Sequence, residues 1–159
     1  MKNFSKFLTA LVVALLINFC AVNKIFAQDT TSMSAEAVEL LNELRIEHGL
    51  NPLEWNPNSN LQMAAQLRAE EIVEEFSHTR PDGTSCFTVF RDFNLPRYRN
   101  CGENIAMGTN LSAEGAMELW INSQGHYKNM VTPEFQEIGL GCFVHGDEIY
   151  WVQLFFTRQ

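Results

Sequence analysis

The sequence predicts an α+β domain in which helices precede a mostly antiparallel sheet. Segments with helical spacing of apolar residues begin near residue 34, and two β-prone runs separated by a glycine-containing turn lie near the end of the chain. This order is typical of layered domains with mostly antiparallel strands. The 159 residues suffice for one domain, and 12 Phe and 3 Trp supply a core that disordered chains lack.

The first 27 residues have the composition of a secretory signal peptide. Lys2 and Lys6 precede an apolar run from Leu8 to Val22, and the small residue Ala27 follows a few positions later. The run of about 15 residues is shorter than the ~20 that a membrane-spanning helix needs, which favours cleavage after Ala27 over an uncleaved anchor. We therefore expect a secreted, extracellular protein without a stable membrane anchor after cleavage.

The domain that remains after cleavage is strongly acidic. Residues 28–159 contain 8 basic and 19 acidic residues, a net charge of −11, because the first 27 residues hold three lysines and no acid. Nucleic acids and anionic membranes bind basic patches, so this charge argues against both as partners. Solubility is the favoured explanation of the charge.

Residues 28–34 are predicted to form a short leader, and residues 35–159 the folded domain. The first helix is predicted to begin at Ser34 as N-cap and to stop at Gly49. The apolar side of this helix is predicted to consist of Val38, Leu41, Leu44 and Ile46.

A second helix is predicted from the N-cap Asn56, with Pro57 at its first position, to about Phe76. Its buried stripe includes Arg68 among apolar residues. Residues 77–100 are predicted to be a long loop that contains a turn at Arg80–Gly83.

The last third of the chain is predicted to contain one helix and a hairpin. Gly102–Met107 is compatible with a strand or a turn, and Leu111–Ile121 with a helix capped by Ser112. The packing residues of this helix are predicted to be Ala116, Leu119 and Trp120. The hairpin pairs Ile138–Val144 with Ile149–Phe156 through a turn that contains His145 and Gly146.

The four histidines fall into two classes. His48 in the last helical turn is interpreted as structural, because a cation there complements the helix dipole, and His145 as exposed in the hairpin turn. His78 and His126 instead open polar segments that contain glycine. His78, Glu103 and His126 are separated by 25 and 23 residues and form no local metal motif, so spacing alone does not predict that they converge.

Five segments resemble, in order, the motifs of a known superfamily. They are His78–Gly83, Gly102–Ala106, Trp120–Met130, Phe135–Gly141 and Tyr150–Gln153. The resemblance is to the CAP superfamily of cysteine-rich secretory proteins, antigen 5 and pathogenesis-related group one proteins, also called SCP domains. It spans roughly residues 35–157, and the Trp-x-x-Ser-x-Gly-His form around residue 120 resembles the bacterial branch.

This resemblance implies a three-layer α-β-α sandwich with a mostly antiparallel central sheet. It also implies a central cleft in which two His and two Glu converge in many members. His78, Glu103 and His126 match three of these positions, whereas the fourth position holds Ser123. The resemblance thus implies a tentative metal site for a divalent cation, zinc or magnesium, in which water completes the ligands and affinity is reduced.

Two further cleft residues have both chemical and structural interpretations. Ser123 and His126 form a possible nucleophile–base pair if Gly125 breaks the helix between them. A hydroxyl that bonds backbone carbonyls at a helix C-terminus is the favoured explanation of Ser123. Glu103 without metal is expected to titrate as a pair with His126, or simply to tie loops together, and Asn129 to bond either a ligand or backbone.

Three cysteines remain after cleavage, Cys86, Cys101 and Cys142. Export permits one disulfide among them. The Cys86–Cys101 pair would close a loop of about 15 residues and contribute about 3 kcal/mol. The three pairings, and three reduced core cysteines, remain open alternatives.

Three functions are compatible with these observations. The preferred one is a non-enzymatic extracellular binding module for a lipid, a sterol-like or other small apolar ligand, or a protein, with the Phe87–Phe93 segment as a candidate groove. A secreted scaffold for an extracellular protein partner is close behind. A metal-assisted or protease-like hydrolase that uses His78, Glu103 and His126 comes last, so no catalytic residue is assigned.

Overall fold

A three-stranded antiparallel sheet with strand order β1-β3-β2 forms the centre of the protein. The computed structural model of this chain describes residues 30–159, and the predicted signal peptide lies outside these residues. The strands are β1 (Tyr98–Thr109), β2 (Glu137–His145) and β3 (Glu148–Arg158). The central strand β3 is buried over residues 150–157, since both of its neighbours and both faces of the sheet are covered.

Alternate residues of β3 face two separate hydrophobic clusters. Trp151 and Phe155 pack into a cluster with the helices at residues 30–47 (α1), Ala113–Ile121 (α4) and Gln124–Met130 (α5). Leu154 and Phe156 pack on the opposite face against Asn60–Glu71 (α2) and Val89–Asp92 (α3). Helices on both faces of one sheet confirm the three-layer α-β-α arrangement.

Helix α1 begins earlier than predicted. Residues 30–34 are already helical, and Ser34 lies inside the helix with only 1% of its surface exposed. The predicted N-cap at Ser34 is therefore wrong, because its small side chain is used for close packing. Ile46, predicted to pack, is 60% exposed. Gly49, with φ of +70°, follows the last turn as predicted.

Helix α2 is shorter than predicted at both ends. Its N-cap is Ser59, whose hydroxyl accepts from the Gln62 N–H, while Asn56 forms a preceding turn by accepting from the Asn58 N–H. The helix ends at Glu71 instead of Phe76. One long-range contact accounts for the early stop, because the Arg68 guanidinium donates to the carbonyl of Ser77 at 2.9 Å and holds the following segment back against the helix.

Two contacts join α2 closely to β2. A Cβ atom on Gly141 would lie 2.1 Å from the Ala65 carbonyl oxygen, so the helix backbone rests directly on the strand. The side-chain amide of Gln62 exchanges hydrogen bonds with the N–H and C=O of Leu140, and that of Gln66 does the same with Cys142. The outward edge of β2 is thus paired with side chains of α2.

The predicted long loop contains structure of its own. Cys86–Thr88 forms a 3₁₀ turn that continues into α3, and β1 already begins at Tyr98. The predicted turn at Arg80–Gly83 is confirmed, because the Gly83 N–H bonds the Arg80 carbonyl at 2.8 Å.

The region of α4 and α5 confirms one cap and corrects two expectations. Ser112 caps α4 by accepting from the Gly115 N–H. Leu119, predicted to pack, is 50% exposed. The helix break falls at Ser123, the N-cap position of α5, whereas Gly125 lies inside α5.

The terminal hairpin is confirmed with a tighter turn than predicted. His145 pairs with Glu148, so the loop contains only Gly146 and Asp147, and Gly146 has a φ of +63°. His145 is exposed as predicted but ends β2. Within residues 30–159, no helix has the length and apolar character required to cross a bilayer.

Candidate functional site

The candidate site lies at the outer edge of β1, where the two helical layers approach each other. Successive residues of a strand point to opposite faces. Glu103 therefore faces the α2 layer, and Asn104 faces the α5 layer. The outward backbone of β1 is covered by side chains, since the Trp120 indole donates to the Ile105 carbonyl at 3.0 Å and the Asn129 amide to the Glu103 carbonyl at 3.4 Å.

Glu103 is the centre of a buried ion-pair network. Its side chain is 1% exposed, and Arg68, itself fully buried, donates Nε to Oε2 at 2.9 Å and Nη2 to Oε1 at 3.4 Å. His78 Nδ1 lies 2.8 Å from Oε1. The carboxylate thus has a partner on each oxygen, which a buried charge requires.

A second carboxylate orients Arg68 from the other side. Glu71 accepts from Arg68 Nη1 at 2.7 Å and from Arg80 Nη2 at 2.6 Å, and Arg80 also pairs with Asp92 at 2.8 Å. These bonds tie α2, the segment after it and α3 together. The loop that carries His78 is therefore held against the sheet by charge.

The network keeps Glu103 ionised. Burial by itself would raise the pKa of this carboxyl group, but the hydrogen bonds from His78 and Arg68 and the charge of Arg68 outweigh burial and hold the pKa below its usual range. Because an ionised carboxylate only accepts hydrogen bonds, His78 Nδ1 must be the donor. In the neutral ring the lone pair then lies on Nε2, and the His78 side chain is 54% exposed.

His126 approaches His78 instead of Glu103. It lies in the first turns of α5, and the centroids of the two imidazole rings are 6.5 Å apart. Burial, and secondarily repulsion from His78, lower the pKa of His126, so its neutral form is favoured. Within residues 30–159 no hydrogen bond joins His126 to Glu103, so the expected Glu103–His126 pair is wrong and His78 is the partner of the carboxylate.

Two asparagines and a glutamine position α5. Buried Asn104 donates to the His126 carbonyl at 3.0 Å and to Gln153 Oε1 at 2.9 Å. Asn129 in turn donates to Asn104 Oδ1 at 2.8 Å. Asn129 thus bonds protein groups, as its structural interpretation predicted, and the network fixes the helix that carries His126.

Ser123 does not make the contacts proposed for it. In the described part of the chain its hydroxyl forms no capping bond and no hydrogen bond with His126. The carbonyl contact expected of Ser123 is instead made by Asn122, whose amide donates to the Glu118 carbonyl at 2.9 Å. The side chain is half-buried at the start of α5.

Cys86 is a site residue that was expected only to pair or pack. The thiol is buried beside Glu103, and burial together with that negative charge raises its pKa to about 12. Donor atoms of His78, Cys86 and Glu103 lie within 4.8 Å of one another, so this group could hold a metal ion. No disulfide joins the three cysteines of residues 30–159, which leaves the Cys86 thiol in this cluster.

Arg68 is the functional neighbour that the sequence indicated without identifying its role. An arginine inside an apolar stripe at helical spacing must be buried, and a buried cation needs a carboxylate. The stripe of α2 therefore contained the signal for a salt bridge. The identity of the partner, 35 residues away on β1, required the fold.

Sequence comparisons agree with this architecture. The model of the cysteine-rich secretory protein family, CAP, matches residues 38–155. YkwD, an uncharacterized protein of Bacillus subtilis, is 34% identical over 125 residues, which cover 77% of this chain and 46% of YkwD. YlbC, an uncharacterized membrane protein of the same organism, is 28% identical over 131 residues, which cover 80% of this chain and 35% of YlbC. The chain spans less than half the length of these curated relatives.

Solved structures show the same fold. An extracellular protein from Bacillus anthracis that contains an SCP domain superimposes with a TM-score of 0.70 at 24% identity, over 80% of this chain and 41% of that protein. An outer surface protein of Borrelia burgdorferi gives a TM-score of 0.67 at 22% identity, over 77% of this chain and 90% of that protein. At these identities the likeness establishes the arrangement of helices and strands.

Proposed function

Because the chain belongs to the CAP family of cysteine-rich secretory proteins, we propose that it is a non-enzymatic extracellular binding module whose cleft binds a zinc-like divalent cation through His78 and His126. The observation that carries the proposal is the full engagement of Glu103. Its oxygens are occupied by Arg68 and His78, and its lowered pKa makes it a poor proton acceptor near neutral pH. It therefore serves to orient His78.

The geometry around His78 is that of a metal-ligating histidine. Such residues usually donate their second ring nitrogen to a carboxylate, which fixes the tautomer and the direction of the ligating nitrogen. Glu103 does this for Nδ1 of His78, and the neutral ring of His126 lies alongside. Imidazoles favour zinc over magnesium, which prefers oxygen ligands and water, so zinc is the cation proposed.

A second arrangement of the cation follows from Cys86. A metal held by the group of His78, Cys86 and Glu103 would lie deeper than one held between the two imidazoles. It would require loss of the Cys86 proton and of the His78–Glu103 hydrogen bond. The two arrangements share His78 and differ in their use of His126 and Cys86, which makes them separable by substitution.

The experiment is titration of the purified protein with Zn²⁺, followed by calorimetry and by native mass spectrometry. We expect one cation per molecule, with binding lost in His78→Ala and strongly weakened in His126→Ala. His145→Ala is the matched control, because it removes an exposed imidazole far along β2 and should bind as the parent does. Equal binding by all three variants would contradict a histidine site in the cleft.

Cobalt distinguishes the two arrangements. A thiolate ligand gives Co²⁺ a strong near-ultraviolet charge-transfer band that imidazoles do not. The His78–His126 arrangement predicts no such band and no change in Cys86→Ser. A band that disappears in Cys86→Ser would establish the deeper site instead.

The hydrolase alternative has little structural support. The Ser123 hydroxyl makes no hydrogen bond with His126 in the described residues, and Glu103 is held ionised. Turnover of peptide or ester substrates that is abolished by His126→Ala, with the fold intact, would overturn the non-enzymatic proposal. A lipid or extracellular protein partner, and the activity of any longer protein, remain proposals beyond the cation.

A further inference from the structure

The exposed positive charge of this acidic protein is concentrated on one segment. Arg45 and Arg68 are buried, and Arg80 and Arg158 form ion pairs with carboxylates. The exposed basic side chains in residues 30–159 that form no ion pair there are Arg91, Arg97, Arg99 and Lys128. Three of these four lie within nine residues of each other, in the connection from α3 to β1.

A groove of about 360 Å³ lies beside this cluster. Its apolar walls include Phe87, Phe90, Leu95 and Tyr98, and its lining contains Arg91 and Arg97 but no acidic residue. Arg99 does not line it. The lining also excludes His78, Glu103 and His126, so the groove is a separate feature from the proposed cation site.

The aromatic rings of the groove are held in place from below. Phe90 is 3% exposed and packs edge to face on Phe156 at 5.3 Å and on Tyr98 at 5.6 Å between ring centroids. Tyr98 itself is 42% exposed. The candidate groove around Phe87–Phe93 thus has a core residue as its floor and a preformed aromatic wall, which reduces the ordering cost of binding.

We infer that this groove binds a small aromatic carboxylate, with its ring against Phe87 and Tyr98 and its carboxylate on Arg91 and Arg97. The volume is at the low end of the ~300–1,000 Å³ typical of ligand pockets, which suits a single ring. Guanidinium groups match carboxylates by paired hydrogen bonds, and a net charge of −11 elsewhere makes two unpaired arginines unusual. An offset or edge-on ring adds to the burial of apolar area.

The test is titration of the ¹⁵N-labelled protein with 3-phenylpropionate, with the neutral 3-phenylpropanamide as the matched ligand. We expect saturable shifts of backbone amides in residues 85–98 with the carboxylate and roughly tenfold weaker binding of the amide, because the charge-assisted hydrogen bonds are lost. Arg91→Ala and Arg97→Ala should each weaken the carboxylate by a similar factor.

Arg99→Ala is the matched control, since it removes the same charge from the same segment but not from the groove. We expect it to change affinity by no more than roughly twofold, as for a screened surface charge. Equal weakening by Arg99→Ala, equal binding of the amide, or shifts confined to other residues would each overturn the inference. Spectra of the variants report their folding directly. Because no cation ligand is involved, failure here leaves the zinc proposal untouched, and the converse holds.

Discussion

At the scale of single residues, the pairing of Arg68 with Glu103 has the largest energetic consequence. Both side chains are almost fully buried, so neither charge can be solvated when the other is removed. The same pair fixes the loop of His78. Stability and site geometry therefore depend on one contact between α2 and β1.

Replacement of Glu103 by glutamine should destabilise the protein by about 3 kcal/mol, because the buried charge of Arg68 loses its main counterion. The measurement is the free energy of unfolding in urea. Glu74→Gln, an exposed change on the segment after α2, is the control and should have an effect near zero. Equal effects of the two changes would contradict the role given to the ion pair.

Protonation of His126 should couple stability to pH. Burial and repulsion from His78 lower its folded pKa below the ordinary value of about 6.5, so the unfolded chain binds the proton more readily. Stability is then fully present above pH 6.5 and falls as the pH drops towards the folded pKa. The check is the slope of unfolding free energy against pH, which should become shallower in His126→Gln over this window.

Removal of His78 tests the electrostatic part of this shift. In His78→Gln the pKa of His126, followed by the NMR signal of its ring proton, should rise towards the ordinary value but remain below it, because burial persists. An unchanged pKa would mean that the two rings do not interact.

At the scale of elements, the contact of α2 with β2 depends on glycine. Gly141→Ala should cost about 3 kcal/mol, since its Cβ would lie 2.1 Å from the Ala65 carbonyl oxygen and backbone must move. Gly125→Ala is the matched control, because nothing lies within 4 Å of its Cβ and the helix of α5 should gain about 1 kcal/mol. Thermal unfolding measures both, and a neutral Gly141→Ala would show that α2 can move away from the sheet.

Local signals predicted some element ends and not others. The Ser112 cap and the glycine turn of the hairpin lie within a few residues of the structure they specify, and both are confirmed. The end of α2 is set by the contact of Arg68 with Ser77, which no local pattern shows. Long-range contacts of this kind also decide that β1, compatible with strand or turn by sequence, becomes an edge strand of the sheet.

The candidate site was only partly predictable for the same reason. His78, Glu103 and His126 were found by resemblance, and the fold places them at one edge of β1. Their order of contact, with His78 between the other two, follows from the opposite faces of a strand. The participation of Cys86 depends on a 3₁₀ turn inside a segment that was predicted to be a loop.

At the scale of the whole molecule, the sheet separates the cysteines. Cys142 lies in the cluster of α1 and α4, whereas Cys101 packs on the opposite face with α2. Cys86 is turned towards Glu103. The structure therefore disfavours the disulfides that the export of the protein would permit.

Protein collected from the culture medium should begin at Gln28 and carry Cys86 and Cys101 as separate thiols. Alkylation after unfolding, without a reductant, followed by peptide mass spectrometry is the measurement. Both cysteines should be modified in full. A Cys86–Cys101 crosslinked peptide, or an N-terminus at Met1, would contradict the corresponding expectation.

The side chains along the two outer strands have a consequence for behaviour at high concentration. An uncovered strand edge is a template on which a second chain can add, and this leads to fibrils and swapped dimers. Gln62 and Gln66 occupy the edge of β2, and Trp120 and Asn129 that of β1. Gln62→Leu should open the Leu140 position, and light scattering on heating should rise earlier than in the parent protein. The amides of one helix thus act as a barrier against polymerisation.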